Sequence, residues 1–190
     1  MTRHQEKARH GADLYPWREK VIVVVDTSVM RIRRACATDV PAMVGLLVQL
    51  GYTPQEDWVR IWVNAASPDD RCLVAEIGSR VVGLTHVHRV PFLTESAYKA
   101  RLTALVVDET ERSHGVGALL LEATEQVTRE MGATVLELST SNRRQRAHRF
   151  YERHGYIQSS RHYRKAVAPQ VSAAPPDRSI GGSGAVSADG

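Results

Sequence analysis

Apolar and polar positions along this chain repeat with two different periods, and each change of period marks the start of a new element. Met30 to Arg34 alternates apolar with polar, which predicts a short strand. From Val40 the period lengthens: Val40, Met43, Val44, Leu47 and Leu50 fall on one helical face. Thr38 or Asp39 supplies the N-cap and Gly51 the stop. Thr53-Pro54-Gln55-Glu56 reads as a capping box with Pro at the first helical position, opening a second helix through Trp58, Ile61 and Trp62.

Strand spacing then returns. Cys72 to Ile77 and Val81 to Val87, joined by Gly78-Ser79, predict a hairpin, and Tyr98 to Val107 another strand. Val116, Leu119, Leu120, Ala123, Val127 and Met131 make a helix face that Gly132 closes. Thr134 to Thr140 reads as a strand and Asn142 to His154 as a helix ended by Gly155. Tyr156-Ile157 and His162 to Lys165 read as a closing strand pair. The order β-α-α-β-β-β-α-β-α-β-β predicts the α/β class with a single mixed sheet. The run from Tyr98 to Thr140 is a strand–helix–strand unit, so its two strands are expected to be parallel.

The pattern also divides the chain. Residues 30–165 carry it and are expected to form one domain. Residues 1–29 read as a partly flexible extension, in which Val21 to Val25 is either a strand or a sticky apolar segment. Met30 stands as an alternative start to Met1. Residues 166–190, rich in Ala, Pro, Ser and Gly, cannot bury enough apolar surface to offset their ordering entropy, and are expected to be a disordered tail.

Composition changes this picture little. A chain of 190 residues, 43% hydrophobic and 24% charged, suits one globular domain with a core. A net charge of +4 is mild and does not select nucleic acid as a partner. The arginines 143, 144, 146, 149 and 153 crowd one helix, a run that reads as a solvated face, so no nucleic-acid partner is expected. No apolar run is long enough to span a membrane, and the polar start is not followed by a signal-type segment, so the expected compartment is the cytoplasm. Cys36 and Cys72 form no metal-ligand pattern; they read as buried free thiols, with one disulfide as the alternative.

The chemistry sits in Arg112-Ser113-His114-Gly115-Val116-Gly117-Ala118, between a strand and a long helix. Its glycines let the backbone curl close to a ligand. The first N–H groups of the helix lack intrahelical partners and carry partial positive charge, so they suit an anion, and Arg112 adds a full charge. No Gly-Lys-Ser/Thr ending is present, against a P-loop. Leu120 stands where a dinucleotide fingerprint places its third small residue. The plain alternative is a tight turn with no ligand.

Arg112-x-x-Gly115-x-Gly117-Ala118, following Leu105-Val106-Val107, resembles the acetyl-CoA-binding motif of the GNAT N-acetyltransferase superfamily. Ala147 to Tyr156, with Phe150-Tyr151 and Gly155-Tyr156, resembles its second signature. Met30 to Ala35, followed by Asp39, resembles its opening strand and helix start. The resemblance implies a GNAT-like fold and acetyl-CoA as co-substrate, with no metal. Its acceptor would be a primary amine of a small molecule or peptide, attacking directly in a ternary complex. It implies that the backbone of Leu105, Val106 and Val107 pairs with the pantetheine arm, with the Val107 N–H facing the thioester oxygen. The loop from Arg112 through Ser113, His114, Gly115, Val116 and Gly117 to Ala118 would hold the pyrophosphate. Asn142 is either a cofactor contact or a helix N-cap. Tyr151 would protonate the leaving thiolate. The strand Tyr98–Val107 offers no acidic base; Glu137, His86 and His88 are candidates, and the two histidines also read as ordinary packed residues. Trp58 and Trp62 share a helix face, with core packing as the plainer reading. Glu56, Asp57, Asp69 and Asp70 offer charge to a cationic amine. The oligomer is a monomer or homodimer. The alternative to an enzyme is a catalytically silent acyl-CoA-binding sensor or interaction module.

Overall fold

A computed structural model describes residues 23–25, 30–65, 67–94 and 97–160, with 163, 165 and 167. Most of the expected extension, His162 and Arg164 of the closing strand pair, and the expected tail other than Val167 lie outside the described residues.

Among the described residues, six strands form one sheet in sequence order: β1 (Val23–Val25), β2 (Met30–Arg34), β3 (Asp70–Ile77), β4 (Arg80–Phe92), β5 (Ala97–Val107) and β6 (Ala133–Leu138). All neighbours are antiparallel except β5 and β6, which are parallel because helix α3 (Val116–Glu130) carries the chain back across the sheet. Val23–Val25 is therefore a strand, paired with β2.

The alternation within each strand builds a core on both faces of the sheet. On one face Ile32, Leu73, Val82, Val87 and Ala100 meet Val116, Leu120, Ala123 and Val127 of α3. On the other, Cys72, Val74, Leu84 and Val106 meet helix α1 (Val40–Gln49) and helix α2 (Glu56–Asn64) through Val40, Met43, Leu46 and Val59. Helix α4 (Gln145–Arg153) follows β6. A Cβ added to Gly83 of β4 would lie 2.7 Å from Leu120 Cδ1 and 3.3 Å from the Val106 carbonyl. The close helix–sheet contact that Leu120 denies on the helix side is provided from the sheet side.

Several element ends differ from the sequence expectation. Asp39 does not cap α1 with its side chain; a 3-10 turn over Ala37–Asp39 comes first. Its buried carboxylate instead accepts the Cys36 N–H at 2.8 Å and both terminal nitrogens of Arg33 at 2.7 Å. Thr53 makes no cap either: α2 starts at Glu56 behind Gln55, leaving Pro54 outside. Strand β4 runs on to Phe92 despite Pro91, because beyond Arg89, whose N–H reaches the Asp69 carbonyl at 2.7 Å, β5 is its one strand neighbour among the described residues. Helix α4 begins at Gln145, not Asn142, since Arg143 and Arg144 are spent on a turn closed at Ser141. Residues 156–160 carry no strand: the Tyr156 hydroxyl donates to Glu125 of α3 at 3.0 Å, and Ile157 is exposed. Both cysteines are free, but Cys36 is exposed, where both were expected to be buried.

Candidate active site

The parallel pair β5–β6 ends early. Its last rung is Leu102–Leu138, yet β5 continues to Val107, held on its other edge by β4 as far as Gly83. Two strands that start as neighbours thus part, and a cleft of about 780 Å³ opens between them.

The direction of the free backbone groups follows from the ladder. The Asp108 N–H donates to the Val82 carbonyl at 2.8 Å. Hydrogen-bonded and non-hydrogen-bonded pairs alternate in an antiparallel ladder, so the next pair, Gly83–Val107, is of the non-bonded kind, and so is Thr85–Leu105. The N–H and C=O of Val107 and Leu105 therefore point away from β4, into the space that β6 has left. Those of Val106 point to β4, while its side chain lies in the core beside α1. An extended chain laid in the cleft would find these outward groups in strand-like register.

Past β5 the chain turns through a 3-10 segment, Glu109–Glu111, into α3. Gln49 of α1 pins this turn by donating to Asp108 at 3.1 Å and accepting the Glu109 N–H at 3.0 Å. Arg80 pairs with Glu111. The Arg112 guanidinium returns to the Val107 carbonyl at 3.2 Å. Ser113 and Gly115 both take the left-handed conformation, with φ of 72° and 85°. The second suits glycine; the first is a local cost of about 1–2 kcal/mol for a residue with a Cβ. This double reversal brings the start of α3, with its unpartnered first N–H groups, to the outer end of the cleft.

Helix α4 forms the opposite wall. Phe150 packs beside Gly117 and Val107, where a Cβ on Gly117 would meet ring atoms at an ordinary 3.6 Å. Tyr151 lines the cleft, stacks edge-on to Phe150 and Tyr156, and makes no side-chain hydrogen bond to described residues. Burial pushes its phenol up to about 12, with Arg144 pulling weakly the other way.

Of the residues singled out by sequence, Leu105, Val106, Val107, Arg112, Ser113, Gly115, Gly117, Ala118 and Tyr151 line this one cleft. His114 is exposed and outside it, Val116, the first residue of α3, is buried against the sheet, and Asn142 sits exposed in the turn before α4. Asn142 is not the N-cap, a position Arg144 holds without a side-chain bond. Glu137 is paired with Arg101 at 2.6 Å and does not line the cleft.

Sequence reasoning missed Thr103 and the place of Asp70. The β4–β5 register slips between His86 and Val87, so Thr103 is an extra residue bulged out of β5, and it lines the cleft. No spacing rule marks such a bulge. Among the described residues no group of three or more His, Cys, Asp or Glu is arranged to hold a metal ion. No described helix is long and apolar enough to cross a membrane.

The chain and its fold are similar to known proteins. The model of the acetyltransferase (GNAT) family matches residues 32–156. An aminoalkylphosphonate N-acetyltransferase of Salmonella typhimurium is 31% identical over 144 residues, which is 73% of this chain and 92% of that protein. Among solved structures, a transcriptional regulator from Bacillus halodurans superposes with a TM-score of 0.66 at 24% identity, over 72% of this chain and 99% of that one. An aminoglycoside acetyltransferase from an uncultured soil metagenomic sample, solved with sisomicin, gives 0.63 at 17%, over 74% and 97%. The chain belongs to the GNAT acetyltransferase family. It is an acyltransferase with the α/β fold of that family, whose members generally use acetyl-CoA.

Proposed function

We propose that this enzyme moves the acetyl group of acetyl-CoA to the primary amine of a small molecule, by direct attack in a ternary complex. One observation carries the reading. The outward backbone groups of Leu105 and Val107, the start of α3 and the Tyr151 phenol face a single cleft.

The residues present fit the co-substrate. The N–H groups at the start of α3 and Arg112 would take the pyrophosphate. Leu105 and Val107 would pair with the pantetheine arm as a missing strand does. Val107 lies beside Gly117 at the outer, phosphate end; Leu105 is two residues deeper, toward the apex at Leu102. An arm that runs inward brings its thioester nearer Leu105, so we assign the N–H that meets the carbonyl oxygen to Leu105, with Val107 holding the arm. That donor would stabilise charge developing on the oxygen. The thioester supplies an already activated acyl group. Tyr151 keeps its proton at neutral pH and gives it to the departing sulfur.

The acceptor class is supported by the Salmonella relative, whose name gives aminoalkylphosphonates as its substrates. Arg143, Arg144, Arg146 and Arg153 line the cleft together with Arg112, and planar guanidinium forks suit phosphate-like groups on either substrate. The test is thiol release from acetyl-CoA with a panel of amines: aminoalkylphosphonates, amino sugar phosphates, aminoglycosides and lysine peptides, with mass detection of the product. Release with a small-molecule amine is expected, the phosphonates first. Acetyl-CoA binding without release from any amine would replace this reading with that of a silent acyl-CoA-binding module.

A further inference from the structure

Behind Thr103 lies a chain of polar groups that the acetyl-transfer scheme above does not use. The Thr103 hydroxyl is hydrogen-bonded to His86 Nδ1. His86 Nε2 lies 3.1 Å from Asp70 Oδ1, and His88 Nδ1 lies 2.8 Å from the same oxygen. The edge of Trp62 on α2 meets the His86 ring, with centroids 4.3 Å apart. These contacts hold the imidazole in one orientation between β3, β5 and α2. Asp70 and His86 are largely shielded, at 20% and 17% side-chain exposure, while Thr103 is open to the cleft.

Protonation follows from who can donate. Burial works against the Asp70 charge, but hydrogen bonds from His86, Ser67 and His88 outweigh it and hold the carboxyl well below the usual carboxylate range. An ionised carboxylate only accepts, so both histidines must donate to it. The neutral imidazole of His86 in this arrangement carries its proton on Nε2, which turns its Nδ1 lone pair to the Thr103 hydroxyl. The base lies one hydrogen bond behind the cleft wall, and the bulge in β5 is what brings Thr103 between the two.

We propose that Thr103, His86 and Asp70 form the proton relay that deprotonates the attacking amine. This rests on the acetyl-transfer reading. As the new C–N bond forms, the nitrogen gives one proton to Oγ1 of Thr103, whose own hydroxyl proton passes to Nδ1 of His86. The imidazolium so formed is held against Asp70. When the C–S bond breaks, its electron pair stays on sulfur, which takes the Tyr151 proton. Solvent then returns the proton from His86 to Tyr151, and both groups start again. Thr103 is the residue that touches the amine; His86 and Asp70 act through it. Among the described residues, the charged or titratable groups facing His86 are Asp70 and its direct cross-strand partner Cys72 from β3 and His88 from β4, while β5 and α2 present Thr103 and the Trp62 ring.

Two measurements on the full chain test this, and the first needs no acceptor. Long-range proton–nitrogen correlation spectra of 15N-histidine-labelled protein read the tautomer of each ring. The Nε2–H tautomer is expected for the neutral ring of His86, and Asp70→Asn should unlock it, because a carboxamide donates as well as accepts. A His86 protonated on Nδ1 in the parent would overturn the relay even in an active enzyme. Failure of every amine in the panel would defeat the acetyl-transfer reading and leave this result standing by itself.

The second is the pH dependence of kcat/KM with 2-aminoethylphosphonate, or with the best amine of the panel. His86→Gln is expected to lose about 10²–10³-fold in rate and to lose the acid limb of the parent profile, with the KM for acetyl-CoA unchanged. Thr103→Val should lose as much, and Thr103→Ser should restore most of it. A parent-like rate and acid limb in His86→Gln, or full activity in Thr103→Val, would refute the relay. Thermal midpoints of the variants separate this from loss of fold, since none of these groups belongs to either apolar core.

Discussion

Gly83 on β4 and Leu120 on α3 fill one space: a Cβ on the first would come within 2.7 Å of a methyl of the second, which is fully buried. The Val106 carbonyl stands 3.3 Å away on another side, so the added atom cannot simply lean over. Gly83→Ala is therefore expected to destabilise by about 1–3 kcal/mol, the usual cost of overpacking. Urea unfolding measures it. Leu120→Val costs about 0.5–1.5 kcal/mol for its lost methylene. The double variant should cost less than the sum, because each change relieves the other. Additive losses would mean that the two residues do not share the space.

Gly115 and Gly117 are two residues apart in the same loop, yet they serve different needs. Gly115 has φ of 85° and open space around it, so its requirement is conformational. Gly115→Ala should lose about 1–2 kcal/mol and raise the KM for acetyl-CoA, since the loop's N–H groups would turn away. Gly117 is the second residue of α3 and has an ordinary conformation, with 3.6 Å of room toward Phe150 and Val107. Gly117→Ala should leave stability within about 0.5 kcal/mol of the parent. Equal losses at both positions in denaturant titrations would contradict this division.

This loop and the strand before it were legible because both motifs are local. Glycine spacing, the flanking Arg112 and the long apolar stripe of α3 are read within a few turns of chain. The same holds for Phe150-Tyr151. What stayed hidden was non-local. Nothing within β5 announces that Thr103 is bulged, because a bulge is a property of the register with β4. Asp39 looked like a cap because its spacing fits one, but the tertiary partner Arg33 took its carboxylate. Ile157 looked like strand from composition alone; with Tyr156 tied to Glu125, it has no sheet edge to join.

The Arg33–Asp39 pair makes acid stability measurable. Burial raises the Asp39 carboxyl, but the Arg33 hydrogen bond and the Cys36 N–H and thiol outweigh that and lower it. A group whose folded value is depressed contributes stability above its unfolded value, near ~3.9, and loses it as pH falls through the folded one. The parent should therefore lose stability progressively below about pH 4. In Asp39→Asn that part of the slope should vanish. The variant should also be less stable at neutral pH by about 3 kcal/mol, the low end for breaking a buried pair, because Arg33 keeps Glu76 at 2.9 Å. Unfolding titrations at several pH values check both. An unchanged acid slope would show that other carboxylates carry it.

Tyr151 gives the most direct test of the leaving-group step. Its phenol is most often free to act as an acid when it is protonated, desolvated and unpaired, and in this cleft it is all three toward the described residues. Tyr151→Phe keeps the ring, and with it the edge contacts to Phe150 and Tyr156, so folding and the KM for acetyl-CoA should hold. The turnover number should fall about 10²-fold or more, as expected for loss of general acid catalysis. The direction of the pH effect follows from burial. An acid role needs the protonated form, which is lost only as pH rises through about 12. The parent rate should thus show no alkaline fall from this group up to about pH 10, the ordinary value for tyrosine. Stopped-flow thiol detection with chemistry rate-limiting would read both effects. A parent-like turnover number in Tyr151→Phe would remove the phenol from the step. An alkaline limb near pH 10 that disappears in the variant would mean that the phenol titrates as an exposed tyrosine does, and that the cleft does not shield it.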